Sequence, residues 1–439
     1  MATDLMPNRY VAGAVELSEQ DSALVARRDR VLGHSYRLQY RKPVHFVRGE
    51  GVWLYDRDGK AYLDFYNNVP SLGHSNPEVI EEMHRQARLL NVNTRYLDDT
   101  LVDYAEQLVA TFPKELDRVV FTCTGSESND LALRIARYAS GGDGIVVSSY
   151  AYHGTSAAVA SISPNLGAAV PLDANLRTVA LPQAEGIHSP QAESVFTERM
   201  KTALADLGRR GTGVAAFIFD SIFSSDGVHL DPPGFVRGAV DAVRAAGGVV
   251  ICDEVQSGFG RTGARMWGFE RHGIIPDLVT LGKPMGNGYP IGGVVARDSV
   301  MRAFGESARY SNTFAGNTVA IKTAATVLRI IGRDRLQENA LHRGEQIRAG
   351  VEALRDKTGV IGAIRGAGLF IGIEMGADSD PPERKRALAS QVTNNLRDRR
   401  VLISTTGANE DTLKIRPMLV TDGTHCNLFL ERLEDSIKV

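Results

Sequence analysis

Between about residues 115 and 300 the chain alternates short, continuous apolar runs with segments whose apolar positions recur every three to four residues. The runs are VVFTC (119–123), GIVVSS (144–149), AAFIFD (215–220), GGVVICDEV (247–255), LVTL (278–281) and GGVVA (292–296). A strand that faces water on one side alternates apolar and polar residues. Unbroken runs of this length are what strands covered on both faces require. Between two of them, FVRGAVDAVRAAG sets Val236, Val240 and Val243 at i, i+4 and i+7 of a helix, with Gly247 as its stop. This alternation predicts an α/β domain with a mostly parallel sheet.

The flanking segments read differently. A helical stretch from about 317 to 356 precedes an apolar run, GLFIGIEM (368–375), and a helix built on Leu388, Val392 and Leu396. VLIST and TLKIRPML follow as strands, and a last helix carries Phe429, Leu433 and Ile437 on one face. Near the start, GVWLYDRDGKAYLDF is a hairpin whose turn is DRDG, Asp56 to Gly59. The organisation expected is an N-terminal segment, 1–70, packed with a small domain. A large α/β domain, 71–325, and a small C-terminal α+β domain, 326–439, complete it.

Composition narrows the classes. The chain has 439 residues, 43% of them hydrophobic, enough for a large core and more than one domain. Its 50 basic and 52 acidic side chains nearly cancel, and there is no polybasic run, so nucleic acid is not an expected partner. No apolar stretch approaches the ~20 residues that span a bilayer. The start, MATDLMPNRY, lacks the basic-then-apolar order of a signal peptide. Cys123, Cys252 and Cys426 lie far apart with no CxxC pair. The expectation is a reduced, cytoplasmic protein without membrane contact or disulfides, its cysteines serving as packing residues.

Ligands of parallel sheets bind beyond the carboxyl ends of the strands, so the residues after each run carry the candidate chemistry. After VVFTC comes TGSESND, leading into a helix with Leu131 and Ile135 on one face. Gly125 and Ser126 at a helix start suit a phosphate; the alternative is an ordinary helix cap by Ser126 or Ser128. Neither GxxxxGK[ST] nor GxGxxG is present, which argues against nucleotide binding. After GIVVSS, Tyr152 and His153 are either an aromatic stacker on a flat ligand or core residues. After GGVVIC, Asp253 and Glu254 point to opposite faces of a strand, so only one faces a given ligand. Its partner would be a cationic ring nitrogen or, alternatively, Arg261. After LVTL, Lys283 is either a solvated charge or an amine whose pKa its apolar neighbours lower. Gly286, Gly288 and Gly292 leave room for close backbone approach to a ligand. A phosphate cradle, a stacker, a buried acid and a desolvated lysine together are what pyridoxal phosphate needs, and the set asks for no metal.

DEVQSGFGRTG (253–263) and the GKPMGNGYPIGG loop carry a family resemblance. From about Tyr36 to its end the chain resembles the class III aminotransferases of pyridoxal-phosphate fold type I. The resemblance implies that Lys283 is the Schiff-base lysine, that Asp253 pairs with the pyridine nitrogen and that Gln256 bonds the ring hydroxyl. It also implies that Tyr152 stacks on the ring and that Gly125 and Ser126 bind the cofactor phosphate. Thr313, in SNTFAGN, resembles the threonine that reaches the phosphate of the neighbouring subunit's cofactor, which implies a homodimer with shared sites.

Within the family, NNVPSLGHSNPEV (67–79), LNVNTRYLDDTLVDYAEQL (90–108), GSESNDLALRIAR and AYHGTSAAVASISP (151–164) resemble the ethanolamine-phosphate phospho-lyases more than ω-amino acid transaminases. The activity implied is elimination of phosphate from O-phosphoethanolamine to give acetaldehyde and ammonia. An ω-amino acid:keto acid aminotransferase is the alternative, and an epimerase or racemase ranks behind both. Phosphohydroxylysine is a rival substrate for a lyase. Arg416, in LKIRPML, resembles the family arginine that holds a substrate carboxylate; Arg95 and Asn67 are further substrate candidates. Two positions depart from the family. Ser128 replaces an alanine, which adds a hydroxyl expected near the cofactor phosphate. Asp220 stands where many transaminases have a glutamate that pairs with the active-site arginine and switches between half-reactions.

Overall fold

In the computed structural model the described residues are 6, 8–182 and 191–438. The first five residues, on which the reading of the chain start rests, lie outside them. Strands β1 (Phe46–Glu50), β2 (Trp53–Asp56) and β3 (Ala61–Asp64) form an antiparallel meander. Its second turn is DRDG. Asp56 Oδ1 accepts from the N–H groups of Asp58 at 3.0 Å and Lys60 at 2.9 Å, the local bonding that makes aspartate a turn residue.

The central sheet has seven strands: β4 (Arg118–Thr122), β5 (Gly144–Ser148), β6 (Leu176–Val179), β7 (Val214–Asp220), β8 (Val249–Asp253), β9 (Leu278–Leu281) and β10 (Gly292–Ala296). Their order is β4-β10-β9-β8-β7-β5-β6. β10 is antiparallel to both of its neighbours, and the other six strands share one direction. β5, β9 and β10 are buried at every position, which is why their sequences are continuous apolar runs. The helix Arg237–Ala245 buries Ala239, Val240 and Val243 against the sheet, while Val236 caps it.

A third sheet follows from β11 (Ile361–Ala367) and β12 (Phe370–Met375). Next come β13 (Val401–Leu402), β14 (Ser404–Thr406) and β15 (Thr412–Ile415). Its order is β11-β12-β15-β14; β13 instead joins the N-terminal meander, parallel to β3. The stretch expected to be helical from 317 to 356 is two helices, Thr318–Arg333 and Leu336–Thr358, divided where Arg335 takes φ +53°.

The two ends of the chain are thus hydrogen-bonded to each other. Phe65 packs on Phe429 of the last helix at 4.9 Å between ring centroids. The N–H groups of Arg416 and Leu419 donate to the carbonyls of Phe65 and Ser71, each at 2.8 Å. These bonds hold Tyr66 and Arg416 beside Lys283. No helix among the described residues is long and apolar enough to cross a membrane.

Candidate active site

Because six strands run the same way, the loops leaving their carboxyl ends converge on one edge of the sheet. Gly125 and Ser126 follow β4, Tyr152 and His153 follow β5, Asp220 ends β7, Asp253 ends β8 and Lys283 follows β9. All of them line one cavity of about 110 Å³, together with Gln256. Tyr152, Gln256 and Lys283 also line an adjoining cavity of about 290 Å³ that reaches Arg416.

Asp253 is buried and held on three sides. Its Oδ2 accepts from Asn129 Nδ2 at 2.9 Å and is 2.8 Å from His153 Nδ1; its Oδ1 accepts from the Val255 N–H at 3.0 Å. Asn129 is fixed in turn by Thr280, whose hydroxyl donates to its Oδ1 at 2.6 Å. Glu254 points the other way, as strand alternation requires. It is fully buried and accepts from the N–H groups of Gly268 and Phe269 at 2.8 and 2.9 Å and from the Ser257 hydroxyl at 2.9 Å. Arg261 pairs with neither acid; its guanidinium donates to the carbonyls of Leu369 and Pro417.

Lys283 opens a short 3₁₀ turn, Lys283–Gly286, directly after β9. Burial holds its pKa below the ordinary lysine value, opposed by Asp253. Asp220 lies opposite Asp253 in the parallel register. It accepts from the N–H groups of Ile222 at 3.0 Å and Ser224 at 2.9 Å, and burial, then Asp253, raises its pKa.

The helix Gly125–Ser140 is capped by Thr124, whose hydroxyl accepts from the Glu127 N–H at 3.1 Å. The capping role open to Ser126 or Ser128 thus falls to neither. Ser126 Oγ instead accepts from the Thr155 N–H at 3.1 Å. Gly154 beside it has φ +141°, and a Cβ there would lie 2.5 Å from Ser126 Oγ. Ser128 is fully buried, its hydroxyl engaged with Thr122 Oγ1 at 2.7 Å and the Leu281 carbonyl at 2.9 Å. Its extra hydroxyl therefore ties the helix to β4 and β9 rather than facing a ligand. Gly292 is likewise packed against protein: a Cβ there would meet the Leu281 carbonyl at 2.7 Å.

Arg416 is buried, and its guanidinium donates to Gln256 Oε1 at 2.9 Å and Asn68 Oδ1 at 3.4 Å. Gln256 Nε2 passes the chain on to the Ser224 hydroxyl at 2.6 Å. Tyr66 lies under the guanidinium, 4.9 Å from ring centroid to Cζ. Among the described residues Arg416 forms no ion pair with a carboxylate, Asp220 included. Asn67 bonds Asp64, its Nδ2 donating to Oδ2 at 2.8 Å; its neighbour Asn68 is the residue that touches Arg416.

Arg95 and Thr313 are not brought to this chain's Lys283. Arg95 is exposed and donates to Ser311 Oγ at 2.5 Å. Thr313 lines a separate cavity with Asn91, Cys123 and Tyr289, beside an exposed Phe314.

Several contacts carry no sequence signal. Asp226 accepts from Ser148 Oγ at 2.6 Å and the Tyr150 N–H at 3.0 Å, pinning the loop that carries Tyr152; burial pushes its carboxyl up to about 6. Asn129 and Asn68 were hidden because an asparagine inside a helix or turn pattern reads as polar surface. Lys414 and Asn8 also line the larger cavity.

The donor set fits pyridoxal phosphate. The helix start at Gly125 leaves its first N–H groups without intrahelical partners, suited to a phosphate. Asp253 has neutral or titratable donors and, among the described residues, no lysine or arginine, which leaves it for a ring nitrogen cation. Lys283 would supply the amine.

Comparisons with known proteins agree with this geometry. Residues 36–437 match the family described as aminotransferase class-III. The chain is 36% identical over 421 residues to an alanine–glyoxylate aminotransferase 2-like protein of Drosophila melanogaster, covering 92% of this chain and 84% of the relative. It is 33% identical to ethanolamine-phosphate phospho-lyase homolog 1 of Caenorhabditis elegans, covering 93% of this chain and 91% of the relative. Among solved structures it is similar to a phospholyase from Arthrobacter in complex with phosphoethanolamine. The identity there is 42% and the TM-score 0.90, covering 94% of this chain and 99% of the other.

Proposed function

The chain belongs to the class III aminotransferase family, a fold type I enzyme with pyridoxal 5′-phosphate as cofactor, and from that premise we propose that it is a phospho-lyase acting on O-phosphoethanolamine. The observation that carries this reading is Arg416. In the adjoining cavity its guanidinium rests on the amides of Gln256 and Asn68 and, among the described residues, makes no ion pair with a carboxylate. Asp220 is satisfied by two backbone N–H groups and is not free to swing toward it. An anion site without a counter-acid suits an enzyme that meets one kind of substrate anion per turnover. A transaminase must alternate two substrates. The likeness to a phospholyase at 42% identity supports the same choice.

Bound at this site, the cofactor supplies an electron sink for the carbon bearing the substrate amine. Gly125 and Ser126 would hold its phosphate and Tyr152 would cover its ring. Asp253 would keep the ring nitrogen protonated, Gln256 would serve the ring hydroxyl, and Lys283 would hold the aldehyde. Lys283 Nζ, when not engaged with the cofactor, would take the proton from the amine-bearing carbon, a role its burial-lowered pKa suits. The C–O bond on the adjacent carbon then breaks with its electron pair leaving on phosphate. Addition of water to the organic product yields acetaldehyde and ammonia, with no net oxidation.

The test is a substrate screen. Phosphoethanolamine should release equal amounts of inorganic phosphate and acetaldehyde without any keto acid. Conversion of the cofactor to its amine form with no phosphate released, together with amino transfer from an ω-amino acid, would instead establish the aminotransferase. That second reading draws support from the alanine–glyoxylate aminotransferase 2-like relative.

A homodimer with shared sites, in the cytoplasm, belongs to the same proposal. The exposed Thr313 and Phe314, which line a different cavity from that of their own Lys283, support it. Co-expressing Lys283→Ala with Thr313→Glu chains should restore roughly a quarter of wild-type activity, because mixed dimers keep one intact site. Either variant alone stays inactive. A monomer in sedimentation, or no restoration on mixing, refutes the shared site.

A further inference from the structure

We propose that Lys414 and Asn8 form, with Arg416, a subsite that selects a phosphate dianion over a carboxylate at the far end of the amine substrate. The inference rests on the reading that an amine substrate reacts at Lys283, and it names what else that substrate must carry.

β15 places Lys414 two residues before Arg416, so strand alternation turns both side chains to one face. Both line the cavity of about 290 Å³ that Lys283 also lines. Both are buried, at 8% and 7% exposure, and among the described residues neither forms an ion pair with a carboxylate. A buried cation without a counter-charge is costly, and two in one cavity more so. Burial and the neighbouring Arg416 pull the Lys414 pKa well down. The Phe370 ring has its centroid 5.7 Å from Nζ. Glu410 lines the same cavity, but its carboxyl takes the Thr405 hydroxyl at 2.5 Å, and burial raises its pKa. Among the described residues Glu410 is the one acid lining this cavity, so an anion bound there meets Lys414 and Arg416 with little competing charge and would hold Lys414 protonated.

Asn8 is a separate observation. It is 4% exposed, it lines this cavity, and its Nδ2 is buried without a hydrogen-bond partner. It is carried there by the N-terminal strap: the Tyr10 N–H donates to the Leu38 carbonyl at 3.0 Å, and Arg9 bridges to Gln39. Gln39 Nε2 in turn donates to the Ile403 carbonyl at 3.2 Å, next to β14. Asn68, which accepts from Arg416, also keeps its Nδ2 buried and unpartnered. Native proteins rarely leave buried donors unsatisfied, and such groups point to a ligand. A carboxylate offers two oxygens and one charge, which Arg416 alone can meet. A phosphate monoester offers three terminal oxygens and two charges, which call for the added ammonium and amide.

The test uses the holoenzyme and two non-eliminating probes, aminopropylphosphonate and γ-aminobutyrate, alike in amine and spacer and differing in the anion. Binding is read by titrating the cofactor absorbance. Wild type should bind the phosphonate about tenfold or more tighter than the carboxylate. Lys414→Gln and Asn8→Ala should each erase most of that preference by weakening the phosphonate, and Lys414→Arg should retain it. Unchanged phosphonate affinity in both variants, or equal loss of both probes, overturns the subsite. Asn8→Ala, at the edge of the fold, keeps the test open if Lys414→Gln fails to fold. Phosphate release by the wild type reports separately on the lyase. Release with indifferent Lys414 and Asn8 refutes the subsite alone. No release, with a Lys414-dependent phosphonate preference, refutes the lyase alone.

Discussion

Lys283→Ala enzyme should release phosphate from phosphoethanolamine at least about ten-thousand-fold more slowly than wild type, the upper range of what a positioned proton-transfer group contributes. Two functions end together, because the same Nζ anchors the cofactor and takes the substrate proton. The fold should survive. Lys283 begins a 3₁₀ turn whose Pro284, Met285 and Gly286 are buried, so the turn is held by those neighbours and not by the ammonium. Removing a cation that burial disfavours should leave the thermal midpoint unchanged or raised. The wild-type apoenzyme offers a second measurement. Only the neutral amine attacks an aldehyde, and burial places the Lys283 pKa below the ordinary 10.5. The rate of cofactor capture should therefore rise with pH and level off below that value. Turnover within about tenfold of wild type in the alanine variant would remove Lys283 from the centre of the mechanism.

The strand-end residues were legible because their signal is local. A continuous apolar run announces a strand covered on both faces, and the residue after it sits at the edge where parallel strands end together. Asp253 ends such a run, Gly125, Tyr152 and Lys283 stand within three residues after one, and all share one cavity. What escaped depends on contacts between distant segments. In LKIRPML the family resemblance singled out Arg416, while Lys414 carries no local signal of burial. Lys414 is buried only because β12 and β14 flank it and the N-terminal strap reaches the same cavity, some four hundred residues away in sequence. The edge strand β6, LRTV, carries one charged and one hydroxyl residue and so makes no apolar run. The division between the helices at Arg335 has no proline to announce it, and Gly332 lies within the first helix rather than at the break. Ser128 was visible as a departure from the family, but its direction was not, since its hydroxyl partner on β9 lies 153 residues on.

Asp253→Asn is the second change expected to matter most, and its effect should divide between activity and stability. The carboxylate faces donors on every side: Asn129 Nδ2 at 2.9 Å, His153 Nδ1 at 2.8 Å and the Val255 N–H at 3.0 Å. An asparagine brings one acceptor and one NH₂ group. If its NH₂ faces Asn129 and His153, donor meets donor; if it is flipped, the NH₂ meets the Val255 N–H. Either orientation strands a buried donor, costing about 1–3 kcal/mol, which a denaturant midpoint will register. The activity loss should be larger, about a hundred- to a thousand-fold, the range for deleting one preorganised electrostatic group. An amide cannot hold a proton on the ring nitrogen, so the electron sink weakens. The two effects separate with a cofactor methylated at that nitrogen, whose positive charge is permanent. Loading it into Asp253→Asn should recover at least about tenfold in rate while leaving the stability deficit unrepaired. If the fixed charge gives no recovery, the asparagine acts only through packing, and Asp253 loses its assigned role at the ring nitrogen.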